Sequence, residues 1–155
     1  MKLTTKARYA VTAMLDLAMH CSNNDTAITL SDIAERQDIS LSYLEQLFSK
    51  LRRAGLVNSI RGPRGGYVLS KSPDLIDIAQ IIDAVEESVD VTKCLGGSDC
   101  QSGKMCLTHS LWDALSQKIK TFLEEVTLAE LILNRDKSHF FTDNLTKNQI
   151  NTKTL

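Results

Sequence analysis

The chain has 155 residues, of which 43% are hydrophobic and 5% aromatic, and its formal net charge is −1. This length suits one domain, or one domain with an appended element. No apolar run approaches the roughly 18 residues that span a bilayer, and the N-terminus lacks a signal-peptide hydrophobic region. We therefore expect a cytoplasmic protein without membrane contact, in which clustered cysteines more often bind metal than form disulfides.

Apolar residues at helical spacing predict three helices in the first third of the chain. Short loops rich in polar residues separate them, and the second and third are joined by a three-residue turn at residues 37–39. Two short helices joined in this way are typical of a helix-turn-helix. We expect the first helix to be capped by Thr4 or Thr5 and to run to about His20, the second to open at Thr29 and to end before the turn, and the third, capped by Ser40, to run from Leu41 to about Ala54.

A β-hairpin is predicted directly after the third helix. Residues 56–61 and 67–70 have strand character, and Gly-Pro-Arg-Gly-Gly at residues 62–66 forms the turn between them. A helix-turn-helix followed by a hairpin is a winged helix. The fold class that we expect is mainly α: a winged helix-turn-helix with a small β-hairpin wing, plus a long C-terminal dimerisation helix.

The charge distribution indicates that this winged helix binds double-stranded DNA. No acidic residue occurs between Lys50 and Lys71, although six basic residues do. Such a stretch can be ordinary solvated surface, but beside a recognition helix it is typical of a nucleic-acid interface. The basic candidates for DNA contact are Lys50, Arg52, Arg61 and Arg64.

The N-terminal part of the third helix is the candidate for reading bases. Ser42, Glu45 and Gln46 occupy adjoining exposed positions there, where recognition helices usually reach base edges. Gln can bond to adenine and Glu can accept from cytosine N4. Glu45 also repels phosphate and costs free energy when it is desolvated without a partner. We expect Glu45 to discriminate between types of DNA site.

A loop containing three cysteines and a histidine follows a fourth predicted helix at about residues 77–87. Cys94, Cys100, Cys106 and His109 fall within sixteen residues, and the segment between Cys94 and Lys104 is mostly small or polar. Such a loop can fold its donors around one metal centre. These donor types fit Zn²⁺ and an iron–sulfur cluster equally well.

A long helix predicted from Leu107 to about Val126 has apolar residues at alternating steps of three and four. This spacing is the seam of a coiled coil and predicts a homodimer, which suits a palindromic operator. A short helix is expected at residues 127–134. The predicted organisation is a DNA-binding domain at 1–76, a cluster loop with dimerisation helices at 77–134, and a disordered tail at 135–155. The expected dimer residues are Trp112, Leu115, Ile119, Phe122 and Val126.

Several stretches resemble the iron–sulfur cluster regulators of the Rrf-type winged-helix repressor family. They are LTTKARYAVTAMLDLA, ISLSYLEQLFSKLRRAGLV, RGPRGGY, AVEESVD and the cysteine spacing that ends in HSLW, and together they extend over residues 1–134. The resemblance implies a [2Fe–2S] cluster on the three cysteines and His109, and cluster-assembly proteins as its donors. It implies that Ser42, Glu45 and Gln46 read the major groove, while Arg61 and Pro63 meet the minor groove. Arg64 departs from the family pattern, which has glycine there.

The resemblance implies a transcription regulator that senses cluster status and controls cluster-assembly and related genes. A nitric-oxide-sensing repressor of the same family is the alternative, since it shares the cysteine spacing but lacks the histidine ligand. A zinc-stabilised winged-helix protein is a further alternative. No nucleophile–base pair or phosphate-binding loop is recognisable in the sequence, so we do not expect an enzyme.

Overall fold

The computed structural model describes residues 3–21, 26–85, 90, 92, 97–137 and 141–142. These residues are mostly helical and contain a two-stranded antiparallel sheet. None of the described helices is both long and apolar enough to cross a bilayer. The elements are α1 (Thr5–His20), α2 (Leu30–Gln37), α3 (Leu41–Arg53), β1 (Val57–Ile60), β2 (Gly66–Leu69), a 3₁₀ turn (Pro73–Leu75), α4 (Ile78–Ala84), α5 (His109–Glu125) and α6 (Leu128–Asn134).

Local side-chain caps determine where most of these helices begin. In five helices the residue before the first turn accepts a hydrogen bond from the backbone N–H three positions later, as strong N-cap residues do. The turn between α2 and α3 passes through Asp38, whose φ of 52° is left-handed. The five capping residues are Thr4, Thr29, Ser40, Asp77 and Thr127.

One continuous hydrophobic core joins the winged helix to the helices that follow it. Ile81 and Leu128, from α4 and α6, are fully buried in the same cluster as Leu17 of α1. The Ile78 N–H donates to Val126 O, and the Leu128 N–H donates to Ile76 O, both at 2.9 Å. The core therefore runs across the expected boundary at residue 76.

A polar contact fastens α2 to α1 inside this framework. The Asp16 side chain is 1% exposed and accepts three hydrogen bonds from the Arg36 guanidinium, at 2.6–3.2 Å. The Gln37 amide donates a further bond of 2.7 Å. Burial alone raises the pKa of Asp16, but the hydrogen bonds from Arg36 and Gln37 and the charge of Arg36 outweigh it and hold the pKa below its usual value.

The wing is attached to the core through its second strand. β1 and β2 pair from Val57↔Leu69 to Ile60↔Gly66. Tyr67 also exchanges backbone hydrogen bonds with Ile28, and its ring packs edge-on against Phe48 of α3. Gly66 has a φ of +153°, and a Cβ there would lie 2.5 Å from Ile28 O, so this crossing requires glycine.

The second half of the chain departs from the expected boundaries in three places. The long helix begins at His109 rather than at Leu107, which is fully exposed. It ends at Glu125, and Val126 is buried in the core of its own chain, where its carbonyl also accepts from the Ile78 N–H. In the expected tail, the ring of Phe141 packs edge-on against Phe122 with centroids 6.2 Å apart. Residues 86–89, 138–140 and 143–155 lie outside the described part of the chain.

Candidate functional site

The polar face of α3 is exposed because its apolar face fills the core. Leu44, Leu47, Phe48 and Leu51 are at most 1% exposed, which turns the opposite face of the helix outwards. Ser42, Glu45 and Gln46, the three predicted base-reading residues, are all exposed on that outward face.

The N-terminal turn of α3 is held in place by contacts that sequence reasoning did not identify. Ser40 Oγ lies 3.0 Å from Ser42 Oγ and also accepts from the Tyr43 N–H at 3.3 Å. The Tyr43 ring meets Tyr9 of α1 edge-on, with centroids 5.8 Å apart. Because Tyr9 and Tyr43 are far apart in the sequence, the residue spacing within α1 or within α3 does not predict this ring contact.

The wing, which follows α3 in the sequence, has a basic tip. The Gly65 N–H donates to Gly62 O at 2.9 Å and closes the turn between the strands. Arg61, Pro63 and Arg64 are all exposed at this turn. Close to this turn, Arg52 Nη1 donates to Ser59 Oγ at 3.4 Å and connects the end of α3 to β1. Lys50 is partly exposed.

The described part of the cysteine loop gathers two sulfurs and an imidazole. Cys100 Sγ lies 3.5 Å from His109 Nδ1. The Cys106 N–H donates to the same sulfur at 3.1 Å, and the His109 N–H donates to Cys106 O at 3.1 Å. His109 is 7% exposed at the first turn of α5. The fourth expected ligand, Cys94, lies outside the described residues.

A tight turn returns the chain from Cys100 to Cys106. Gln101 and Lys104 exchange two backbone hydrogen bonds of 2.9 and 3.0 Å. The two residues between them, Ser102 and Gly103, both have positive φ, of 48° and 83°. This is the backbone of a type I′ hairpin, which favours glycine at its second central position. The small polar residues noted in the sequence are therefore what allows two thiols to approach one another.

The electrostatics of this loop favour thiolate. A hydrogen bond with Cys100 lowers the pKa of Cys106 below its usual value, against a smaller opposing effect of burial, and hydrogen bonds from Thr108 lower it further. Thiolate and neutral imidazole are the forms that bind Zn²⁺ or iron–sulfide. In the described residues no group of three or more such donors is arranged as a metal site. The donor types of Cys100, Cys106 and His109 nevertheless fit a soft metal centre.

A carboxylate lies next to the loop, at Asp90. Its Oδ1 accepts from the Thr92 N–H at 2.7 Å, from Thr92 Oγ1 at 2.6 Å and from Ser116 Oγ of α5 at 3.3 Å. These bonds, led by that from the Thr92 hydroxyl, lower the pKa of Asp90, and the charge of His109 lowers it further. No sequence pattern signals the contact between Asp90 and Ser116, because these residues are 26 positions apart.

The outer face of α5 is apolar. Leu111, Trp112, Leu115 and Phe122 are 58%, 42%, 39% and 37% exposed, and Ile119 is partly exposed. Four of the five expected dimer residues therefore lie at least partly at the surface of the single chain. Val126 does not, since it belongs to the core of its own chain.

Comparison with known proteins identifies the relatives of this chain. The model of the Rrf2 family, described as iron-dependent transcriptional regulators, matches residues 3–134. The chain is 60% identical over 136 residues to an HTH-type transcriptional regulator, ORF2, of Azotobacter vinelandii, with 88% of this chain and 82% of that protein covered. It is 58% identical, with the same coverage, to the HTH-type transcriptional regulator IscR of Yersinia pseudotuberculosis.

Solved structures show the same architecture. T. potens IscR matches with a TM-score of 0.72 and 38% identity, covering 87% of this chain and 88% of that one. CymR, the global cysteine regulator of B. subtilis, matches with a TM-score of 0.72 and 36% identity, covering 84% and 95%. The winged-helix prediction and the resemblance to Rrf-type regulators are thereby confirmed.

Proposed function

The chain belongs to the Rrf2 family of transcriptional regulators, and from that membership we propose that it senses iron–sulfur cluster status and adjusts transcription of cluster-assembly genes. Its relatives are regulators, which confirms the prediction of a DNA-binding regulator and not an enzyme. The sensing group is a [2Fe–2S] cluster, and iron–sulfur assembly proteins in the cytoplasm supply it.

The proposed cluster ligands are Cys94, Cys100, Cys106 and His109. The observation that carries this assignment is the 3.5 Å approach of Cys100 Sγ to His109 Nδ1, with the backbone of Cys106 bonded to the same sulfur. When bound, such a cluster supplies a redox-active and oxidant-sensitive centre whose potential depends on its ligands. A neutral imidazole in place of a thiolate makes the site less negative. His109 therefore favours a readily assembled and readily lost cluster over a durable electron carrier.

The proposed DNA contacts divide between bases and backbone. Ser42, Glu45 and Gln46 project from the exposed face of α3 and suit the major groove. Arg61 and Pro63 at the wing tip suit the minor groove. Cations at Lys50, Arg52 and Arg64 suit phosphates, which fix register and orientation but carry no sequence information.

The proposed functional unit is a homodimer on a palindromic operator. The exposed apolar face of α5 is the surface that a second copy would cover, and Trp112 and Leu115 lie at its centre. His109 opens the same helix that carries this face. Ordering of the cysteine loop is therefore positioned to change how α5 sits against a partner, and with it the spacing of the two recognition helices.

Anaerobic purification tests the cluster directly. Visible absorption together with two iron and two sulfide per chain supports a [2Fe–2S] cluster. A colourless protein with one zinc per chain contradicts it and favours the zinc-stabilised alternative. Affinities of the apo and cluster-loaded forms for operator DNA then test the switch. Equal affinities at every operator would mean that cluster status does not change DNA binding, and would contradict the proposal.

Glu45 tests the proposed base reading. We expect Glu45→Ala to weaken binding to sites that present cytosine to this residue, and to spare or improve binding to sites without it, with a discrimination of about 1–3 kcal/mol. Fluorescence anisotropy on the two site types at one salt concentration measures the difference. Equal changes on both sites would contradict a discriminating role.

A further inference from the structure

The inner face of α5 is unusual in carrying polar residues. The two buried residues of this helix are His109 and Ser116, at 7% and 8% exposed. They are seven residues apart, which is about two helical turns, so they lie on one side of the helix. Buried polar groups are normally hydrogen-bonded. The hydrogen-bond partners of His109 and Ser116 therefore indicate which groups the inner face of α5 contacts.

The Ser116 hydroxyl has two acceptors within reach, Trp112 O of its own helix at 2.9 Å and Asp90 Oδ1 at 3.3 Å, and Asp90 is the one outside α5. One carboxylate oxygen of Asp90 accepts from the Ser116 hydroxyl and also from the backbone N–H and hydroxyl of Thr92, which is itself 7% exposed. This arrangement ties Asp90 and Thr92 to α5. The carboxylate also interacts electrostatically with His109.

The position of Asp90 and Thr92 in the sequence gives this contact a consequence for the ligands. Thr92 precedes Cys94 by two residues, and His109 lies on the helix that Asp90 contacts through Ser116. One carboxylate thus connects the segment that leads into the first cysteine with the helix that carries the histidine. It also brings a fixed negative charge to the imidazole side of the site.

We propose that Asp90 is a positioning residue for the cluster: it ties Thr92, two residues before Cys94 in the sequence, to the helix that His109 opens, and so helps to position the donors. The proposal rests on the proposed function, namely that this loop binds a [2Fe–2S] cluster. Groups that orient metal ligands through hydrogen bonds typically change metal affinity by about 10–100-fold when they are removed. Asp90 acts through the ligands and is not itself one of the four.

Two variants separate the hydrogen bonds from the charge. Asp90→Ala removes both, and we expect the cluster to be lost to an iron chelator about 10-fold faster than from the unaltered protein. Asp90→Asn keeps an acceptor oxygen for Thr92 and Ser116 but removes the charge. We expect it to load with iron and sulfide normally and to have a more positive reduction potential, because a negative charge near the cluster is gone.

Ser116→Ala and Asp83→Asn complete the comparison. Ser116→Ala removes only the anchor on α5 and is expected to speed cluster loss less than Asp90→Ala. Asp83→Asn, at an exposed position of α4, is expected to change neither chelation rate nor potential. All proteins are loaded anaerobically with ferrous iron and sulfide, and thermal unfolding of the apo forms checks that the fold is retained.

The outcomes distinguish this proposal from the one on which it rests. If the unaltered protein takes up no iron and sulfide, the proposed function fails and the role of Asp90 fails with it. If the unaltered protein loads but Asp90→Ala retains its cluster equally well and Asp90→Asn has an unchanged potential, only the role of Asp90 is overturned. Should Asp90→Ala unfold, Ser116→Ala and Asp90→Asn decide the question.

Discussion

Helices α3 and α5 are both amphipathic, but they bury opposite faces. In α3 the apolar residues are buried and the polar residues are exposed, as Phe48 and Glu45 illustrate. In α5 the large apolar side chains of Trp112 and Leu115 are exposed, while His109 and Ser116 are buried. The apolar face of α3 is thus covered within one chain, whereas α5 leaves apolar residues exposed, on the face that we propose a second copy covers, and directs His109 and Ser116 inwards.

This difference separates a reading element from a sensing element. A helix fixed by a packed core keeps its geometry, which suits the presentation of side chains to a groove. The inner side of α5 combines the hydrogen bonds of His109 and Ser116 with the packing of Leu123 against the core, and its outer face is exposed. Under the proposed function, a second copy covers that outer face, and α5 then connects the cysteine loop to the dimer.

The largest expected effect is the loss of a core side chain behind α3. Phe48→Ala removes a fully buried ring that packs against Tyr67 of the wing. We expect it to lower the free energy of unfolding by about 3–5 kcal/mol, through lost burial and the cavity that remains. Urea unfolding followed by circular dichroism measures this. Leu75→Ala, at a position 59% exposed, is the apolar control and is expected to change stability by no more than about 0.5 kcal/mol. Similar losses for both variants would contradict the assignment of α3 as core-fixed.

The second prediction tests the outer face of α5. Leu115→Glu places a charge at the centre of the exposed apolar surface, and we expect it to raise the dimer dissociation constant by about 100-fold or more, because interface energy concentrates in central residues. Sedimentation equilibrium measures the constant, and circular dichroism checks that helix content is retained. Gln117→Glu adds the same charge at an exposed position outside the apolar surface and is expected to leave association unchanged. A Leu115→Glu protein that remains a tight dimer would mean that another surface pairs the chains.

The third prediction compares the two carboxylates that fasten helices. Asp16 is held by a cation, Arg36, while the described hydrogen bonds of Asp90 come from Thr92 and Ser116. Because the pKa of Asp16 is lowered in the folded chain, the pair stabilises the fold above the unfolded pKa of about 3.9, and this contribution is lost as pH falls through the lower folded pKa. We expect Arg36→Met to cost about 1–3 kcal/mol at pH 7, discounted for the 34% exposure of Arg36, and less below pH of about 4.

Urea unfolding at several pH values measures this difference. Arg64→Met, at the exposed wing tip, removes the same charge without touching Asp16, and its stability difference should not depend on pH over this range. A cost for Arg36→Met that stays constant down to pH 3 would mean that Arg36 stabilises α2 by packing rather than by its bond to the Asp16 carboxylate.

Sequence reasoning predicted the parts of the fold that depend on neighbouring residues. The predicted starts of the first, third and last helices follow from local signals, because their caps at Thr4, Ser40 and Thr127 act three residues along the chain, and the glycines at the wing mark a turn. The apolar stripe of α3 follows in the same way from helical spacing. The proximity of Cys100, Cys106 and His109 was also expected, because they are close in sequence, and their role as cluster ligands stays a prediction.

Sequence reasoning could not predict whether a given residue is covered by its own chain or by a second copy. The coiled-coil spacing assigned Val126 to a second copy, but the helix ends at Glu125 and Val126 packs into its own core. Spacing reports that a side chain is apolar and says nothing about its partner. Asp16 and Asp90 were overlooked for the related reason that their partners lie 20 and 26 residues away.

The smallest expected effect concerns Arg64, where this chain departs from the glycine of the family pattern. Arg64 is exposed at the wing tip beside Arg61 and is not part of the core, so it adds charge without altering the turn, which closes between Gly62 and Gly65. A cation that meets a phosphate releases one counterion, which makes affinity more dependent on salt. We expect Arg64→Gly to weaken binding nearly equally on all DNA sequences and to reduce the slope of log affinity against log salt concentration by about 1.

Arg61→Ala is the matched comparison for Arg64→Gly at the same tip. Because Arg61 is proposed to enter the minor groove, its loss should depend on the sequence of the site, whereas the loss of Arg64 should not. Salt titrations of both variants on one specific and one non-specific duplex separate the two behaviours. If Arg64→Gly leaves the salt slope unchanged, the additional arginine makes no phosphate contact, and the wing of this chain binds DNA with the same number of charges as a glycine-bearing wing.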